Sequence, residues 1–299
     1  MRYPRRMRVA PLLLVPLVTF IAVSASAATP ISTCGATVTG DAELVADIDC
    51  TGFEHPAIKF LAARTGSLAM NGFTITGGDI GVQCLGNCRI TGPGTIRDAE
   101  FGINAYGKLS VTNVDIDHSE YVGIQCFKSC KVTGGSLTNS GDPQNPSVGD
   151  GEGVRSTAKL ELDGVTIANN GYGALARSYP KHRGKLLARN TVFIGNGVAA
   201  VSDKSAKITD SSITGSLFAG VLGGDFYYED PCPDGPRTVT LKNTTVTGTG
   251  GGNGCDVTRL CADLLTCRRP KLDATATCDT SRVYGIGIWG PDWDVCTGD

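Results

Sequence analysis

Four segments of the chain, set in register, decide its fold: GVQCLGNCRI at 81–90, GINAYGKLSV at 102–111, GIQCFKSCKV at 123–132 and GVRSTAKLEL at 153–162. Each opens with Gly followed by Val or Ile and places an aliphatic residue nine positions after the glycine, at Ile90, Val111, Val132 and Leu162. AAVSDKSAKI at 199–208 keeps the nine-step with Ala199 in place of glycine. A second offset, of five, links Met70/Ile75, Val111/Ile116, Val132/Leu137, Leu162/Ile167, Ile208/Ile213 and Leu241/Val246, while Ile90/Ile96 is six apart. Segment starts at 81, 102, 123, 153, 173, 199 and 220 are spaced by 21, 21, 30, 20, 26 and 21 residues, so the unit is 20 to 21 residues with insertions.

Each unit supplies three short apolar strands separated by Asn, Asp, Gly or Ser turns, as in Val111-Thr112-Asn113-Val114. Apolar residues every three or four positions, which a helix needs, are absent. A unit this short cannot bury its own apolar face, so units must stack and share one core. Three parallel strands per turn, rising about 4.8 Å per unit, make an all-β, right-handed parallel β-helix. The expected chain has about nine rungs. Leucine-rich repeats have a similar period, but their L-x-x-L-x-L-x-x-N signature is missing. The 40 glycines in 299 residues, about twice the usual share of roughly 7%, belong at strand openings and turns.

The ends read differently. Arg2, Arg5, Arg6 and Arg8, an apolar run to Val23 and Ala25-Ser26-Ala27 form an export leader over 1–27. The apolar run is too short for a membrane anchor, and nothing after it approaches a spanning length. Without the leader the chain holds 23 basic and 29 acidic residues, a net charge of −6. No basic stripe stands out along it, which disfavours nucleic acid and anionic membranes as partners. All 12 cysteines follow the leader, an even number that suits pairing in an oxidising compartment. Cys34 and Cys50 close an N-terminal cap over 28–56, and Cys84-x3-Cys88 and Cys126-x3-Cys130 repeat one local arrangement inside the repeats at 57–248. Cys232, Cys255, Cys261, Cys267, Cys278 and Cys296 crowd a C-terminal cap over 249–299, whose Tyr284 to Trp289 stretch reads as a last strand. Six cysteines allow 15 connectivities, and the sequence does not choose among them. Zinc is the rival reading of the C-x3-C pairs, a weak match without flanking His, so no metal is assigned.

The Gly-Ile openings, the aliphatic residues ahead of Asn/Asp-Gly turns and Met70-Asn71-Gly72-Phe73-Thr74-Ile75 resemble right-handed parallel β-helix repeat proteins of the pectin-lyase-like group. Cys34 to Cys50 followed by an N-G-x-T-I-T-G rung is similar to secreted bacterial members. The resemblance spans about 33–247 and implies the fold; the group mixes lyases, hydrolases, esterases, binding proteins and adhesins, so it does not imply one activity. The N-T-D, D-D, G-H-G and R-I-K segments of galacturonases are absent. Gly224-Asp225-Phe226 is similar to the D-F element of pectin methylesterases over two residues only.

If the first position after each glycine faces in, the second faces out, which puts Gln83, Asn104 and Gln125 in one column and Leu85, Tyr106 and Phe127 in another. An amide ladder beside stacked rings is first a structural device. Its functional reading is a sugar platform, with amides bonding hydroxyls and rings lying on pyranose faces. Continuing the columns gives Arg155, Arg177 and Asp203, with Asp225 one step further. Insertions carrying Tyr179 and His182, and Asp225, Tyr227 and Tyr228, leave this edge two rungs apart and wall one groove. The plain reading of both is solvated loops sealing an apolar end. The catalytic reading makes Arg177, Asp203, Asp225 and His182 an acid/base set. A lyase would add calcium held by acids on neighbouring rungs; otherwise no cofactor is implied. Asp142 to Glu152 lacks calcium-loop spacing and reads as an ordinary loop. His55, His118 and His182 lack any nucleophile elbow for a triad. The sequence thus describes a secreted or periplasmic monomer that binds a polysaccharide or cell-surface glycan. A polysaccharide lyase or glycoside hydrolase and a structural envelope or adhesin component are the alternatives.

Overall fold

The computed structural model describes residues 27–61, 65–144, 151–178, 183–223 and 238–249, and the backbone of five short strands between 262 and 294. Every regular element among them is a strand. The first ladder stacks Ala36–Val38, Pro56–Phe60, Ile80–Cys84, Phe101–Ala105, Val122–Cys126, Glu152–Ser156, Tyr172–Ala176, Val198–Ser202 and Ala219–Gly223 in parallel, and Ala262–Thr266 continues it. The second ladder holds the strand that follows in each rung, such as Cys88–Thr91, Leu109–Thr112, Cys130–Thr133, Lys159–Asp163 and Lys185–Arg189. A third holds the next, such as Thr95–Arg97, Asp115–Asp117, Ser136–Thr138, Thr166–Ala168 and Val192–Ile194. In Ser205–Thr214 and Thr238–Thr247 the second and third strands run on as one. The fold is a parallel β-solenoid, as the period requires.

The offsets of nine and five are the interior of this solenoid. Val82, Ile103, Ile124 and Val154 stack from the first ladder, Ile90, Val111, Val132 and Leu162 from the second, and Ile75, Ile96, Ile116 and Leu137 from the third. All of them are buried in one continuous core. Each such side chain stabilises the fold by about 1.5–3 kcal/mol relative to exposure. Where the stack thins to Ala174 and Ala188, the third strand of that rung supplies buried Phe193, keeping the interior filled. The six-residue offset between Ile90 and Ile96 is taken up at Gly92-Pro93-Gly94, and Ile96 still pairs in register with Ile75 and Ile116.

Two corner devices repeat. After the third strand, Asp98, His118, Asn139 and Asn169 take left-handed φ of 51–58°, a region Asn and Asp tolerate better than other side chains. The following residue then points inward, giving a buried polar column of Ser119, Ser140, Asn170 and Asn196. Asn170 Nδ2 donates to the Leu137 carbonyl (3.0 Å) and to Asn196 Oδ1 (3.1 Å), and its Oδ1 accepts from the Ser140 amide (2.9 Å). Asn196 Nδ2 donates to the Ile167 carbonyl (3.0 Å). These bonds tie consecutive corners together and satisfy backbone groups that the turn leaves open.

At the opening of each first-ladder strand the chains nearly touch. A methyl group on Gly123 would sit 2.5 Å from the Gly153 carbonyl oxygen, and one on Gly102 would sit 2.5 Å from that of Gly123. Both obstacles are backbone and cannot move aside. Replacing Gly123 with Ala is expected to destabilise the fold by about 1–3 kcal/mol, read by thermal or denaturant unfolding. Gly40→Ala, where no atom lies within 4 Å, should stay within about 0.5 kcal/mol of the parent.

Candidate functional site

The outward side of the first ladder carries three rows of side chains on three successive rungs. Gln83, Asn104 and Gln125 are in register in the middle row. Ile80, Phe101 and Val122 flank them on one side in the same ladder. On the other side the Tyr106 amide donates to the Cys84 carbonyl and the Phe127 amide to the Ala105 carbonyl, which places Leu85, Tyr106 and Phe127 in a third row. Tyr106 and Phe127 are stacked, with ring centroids 4.9 Å apart and planes 14° from parallel. They remain 45% and 40% exposed, so packing alone does not account for two large rings held face to face at the surface. Phe101 meets Tyr121 at the opposite margin, with centroids 5.5 Å apart.

Asn104 is the centre of this surface. It is only 7% exposed, and its Oδ1 accepts no hydrogen bond. An acceptor buried without a partner costs about 1–3 kcal/mol, so the site favours a donor brought by something else. The platform has charged ends. Lys59 precedes Gln83 in the amide row and Arg155 follows Gln125, with the Arg155 guanidinium 3.7 Å from the buried Glu152 carboxylate. Beyond Arg155 the row becomes Leu175, Val201 and Leu222, which are buried in a second hydrophobic cluster with Tyr172 and Val198. The open face is thus confined to the earlier rungs.

Disulfides brace the platform. Cys84–Cys88 and Cys126–Cys130 each tie the end of a first-ladder strand to the start of the second-ladder strand in the same rung. They fix the two rungs on either side of the one bearing Asn104 and Tyr106, where Ala105 and Leu109 take the cysteine positions. Their sulfurs are bonded to each other rather than held as the thiolates zinc requires. Cys34–Cys50 closes the N-terminal end, and three disulfides fit an oxidising compartment.

The other residues singled out from sequence fall in different places. Arg177 and Asp203 continue the ring row after Thr157, since the Thr157, Arg177 and Asp203 amides donate to the Cys126, Ser156 and Ala176 carbonyls. Asp203 is 1% exposed, and its two carboxylate oxygens accept from the amides of Ser178 (2.7 Å) and Gly184 (2.6 Å). Those two residues bracket the insertion at 179–182, so Asp203 holds the mouth of that loop together. Tyr179, His182, Asp225, Tyr227 and Tyr228 lie outside the described residues, as do Cys232, Cys255, Cys261, Cys267 and Cys296 and the 284–289 stretch. Of Cys278 only the backbone is described.

A groove of about 640 Å³ runs along the corner that returns the third ladder to the first, and sequence reasoning missed it. Its lining includes Glu54, Asp79, Glu100, His118 and Glu120. The acids are spread along the sequence at the repeat period, so no acidic run announces them. Among the described residues they do not gather as three metal-ligating side chains. Burial, and then the charges of Asp79 and Glu120, push the Glu100 carboxyl above its ordinary range. At Asp117, on the rim, burial acts in the same direction, but hydrogen bonds from Thr138, His118 and Asn139 outweigh it and hold the carboxyl low. Because Glu100 is protonated more readily in the folded chain than in the unfolded one, its ionisation costs stability above its folded pKa. That cost is absent once pH falls below the ordinary carboxylate range. Glu100→Gln should therefore raise the thermal midpoint by about 1 °C near pH 7, with the difference vanishing below about pH 4.

Comparison of the chain with protein-family models, with curated proteins and with solved structures finds no match.

Proposed function

We propose that this solenoid binds an extended carbohydrate or cell-surface polymer across the outward side of its first ladder. The observation that carries the reading is the exposed, stacked Tyr106–Phe127 pair beside the unpartnered Asn104 Oδ1. Sugar rings present apolar C–H faces that lie on aromatic rings and hydroxyls that donate to amide oxygens. Gln83 and Gln125 extend the same chemistry by one rung on each side, about 10 Å in all. The amide row suits hydroxyls, and the charged residues are confined to its ends. Membership of the pectin-lyase-like group and export through the 1–27 leader belong to the same reading, supported by the repeat pattern, the leader composition and the disulfides.

Affinity electrophoresis against a panel of neutral and acidic polysaccharides tests the proposal. At least one neutral glycan should retard the protein. Tyr106→Ala with Phe127→Ala should weaken that retardation about ten-fold or more while leaving the melting temperature near that of the parent. Asn104→Ala should weaken it further. Retardation that survives all three changes, or no retardation by any neutral glycan, defeats the reading. Release of unsaturated or reducing ends from the panel would replace binding with catalysis.

A further inference from the structure

We infer that the outward side of the second ladder is a separate docking surface for a linear acidic polysaccharide, one carrying carboxylate or sulfate groups along its length. Successive rungs place Arg89, Ser110, Lys131, Glu161, Leu187 and Lys207 in one register column. Two positions along, Thr91, Thr112 and Thr133 are followed by Asp163, Arg189 and Thr209. Lys159 and Lys185 pair at the edge of the same face. Its two acids are already engaged, Glu161 with Lys159 and Asp163 with Arg189. Arg89, Lys131, Lys185 and Lys207 are exposed and have no ion-pair partner among the described residues. Lys131, Lys159, Arg189 and Lys207 line a groove of about 400 Å³. A chain that is acidic in sum therefore presents a basic strip.

The geometry selects the partner. Arg89 and Lys207 are five rungs apart, about 24 Å, and cations recur between them at multiples of about 4.8 Å. That suits an extended polymer with charges along its length. The threonine hydroxyls beside them suit its hydroxyl groups. Neither column contains an aromatic ring on which bases would stack, as single-stranded nucleic acid binding uses. The chain's net charge of −2 also gives no general attraction to duplex phosphate.

The full-length protein tests this by affinity electrophoresis in gels containing polygalacturonate, dextran sulfate or unmodified dextran, with oligo-dT as a competitor. Retardation by polygalacturonate or dextran sulfate is expected at about 20 mM salt and should be lost by about 300 mM. Lys131→Glu with Lys207→Glu should weaken it about ten-fold. Lys131→Arg with Lys207→Arg should retain it. The Tyr106→Ala and Phe127→Ala changes should leave it intact, which separates this surface from the first-ladder platform. Failure to bind either acidic polymer at low salt, equal binding of unmodified dextran, full displacement by stoichiometric oligo-dT, or binding indifferent to the double Glu variant would each overturn the assignment.

Discussion

The closest approach in this molecule is made by the glycines that open the first-ladder strands. At Gly81, Gly102, Gly123, Gly153 and Gly173 an added methyl would lie 2.5–2.7 Å from the carbonyl oxygen of the corresponding residue one rung on. With no side chain there, the strand can bend at its opening and still keep the inter-strand spacing of about 4.8 Å. Everything outward depends on that bend, because it sets which later residues point in and which point out. Val82 faces the core because Gly81 turned the chain, and Gln83 faces solvent because Val82 does not. Ala199 occupies the position once. It sits in the rung where the neighbouring inward residue is also small, Ala200, packed between Ala174 and Val221.

The same space accommodates the polar interior. A methyl on Gly153 would come within 3.1–3.2 Å of the Asn170 side-chain amide, and one on Gly173 within 3.2 Å of that of Asn196. The glycine column thus leaves room for the asparagine column at the adjoining corner. Buried amides are costly unless bonded, and here they bond backbone groups of the preceding rungs. Apolar stacking supplies most of the cohesion, while the asparagines fix the register between corners, where a slip of one residue would exchange interior and exterior.

Much of this was legible in the linear sequence, for a definite reason. Core positions recur as residue types at fixed offsets, so Ile90, Val111, Val132 and Leu162 announce themselves. The amide row at 83, 104 and 125 is equally regular, spaced by 21. What stayed hidden depends on contacts between rungs whose spacing varies. Asp203 looks like an acid aligned with Arg177, yet its oxygens hold the backbone of Ser178 and Gly184. Its burial comes from a loop in another rung, which no periodicity encodes. Leu175, Val201 and Leu222 replace the amides without breaking the strand pattern, so only the structure shows where the open face ends. The acids of the corner groove and the cations of the second ladder stand 20 to 30 residues apart in sequence, too far apart to read as a run.

A solenoid turns sequence period into surface area: one substitution repeated in successive units becomes a stripe along the axis. Such stripes are independent, because outward residues of different ladders share no side-chain packing through the apolar core. That independence lets one acidic chain carry an amide and aromatic face, an acidic corner groove and a basic strip without mutual cancellation, since their charges lie farther apart than the screening length of about 8–10 Å over most of their extent. It also explains the positions of the disulfides. Cys84–Cys88 and Cys126–Cys130 span the corner between the first and second ladders, where the ring row ends and the basic strip begins. Bracing that corner fixes the orientation of both surfaces in the same rungs, a requirement that a purely structural stack of strands would not impose.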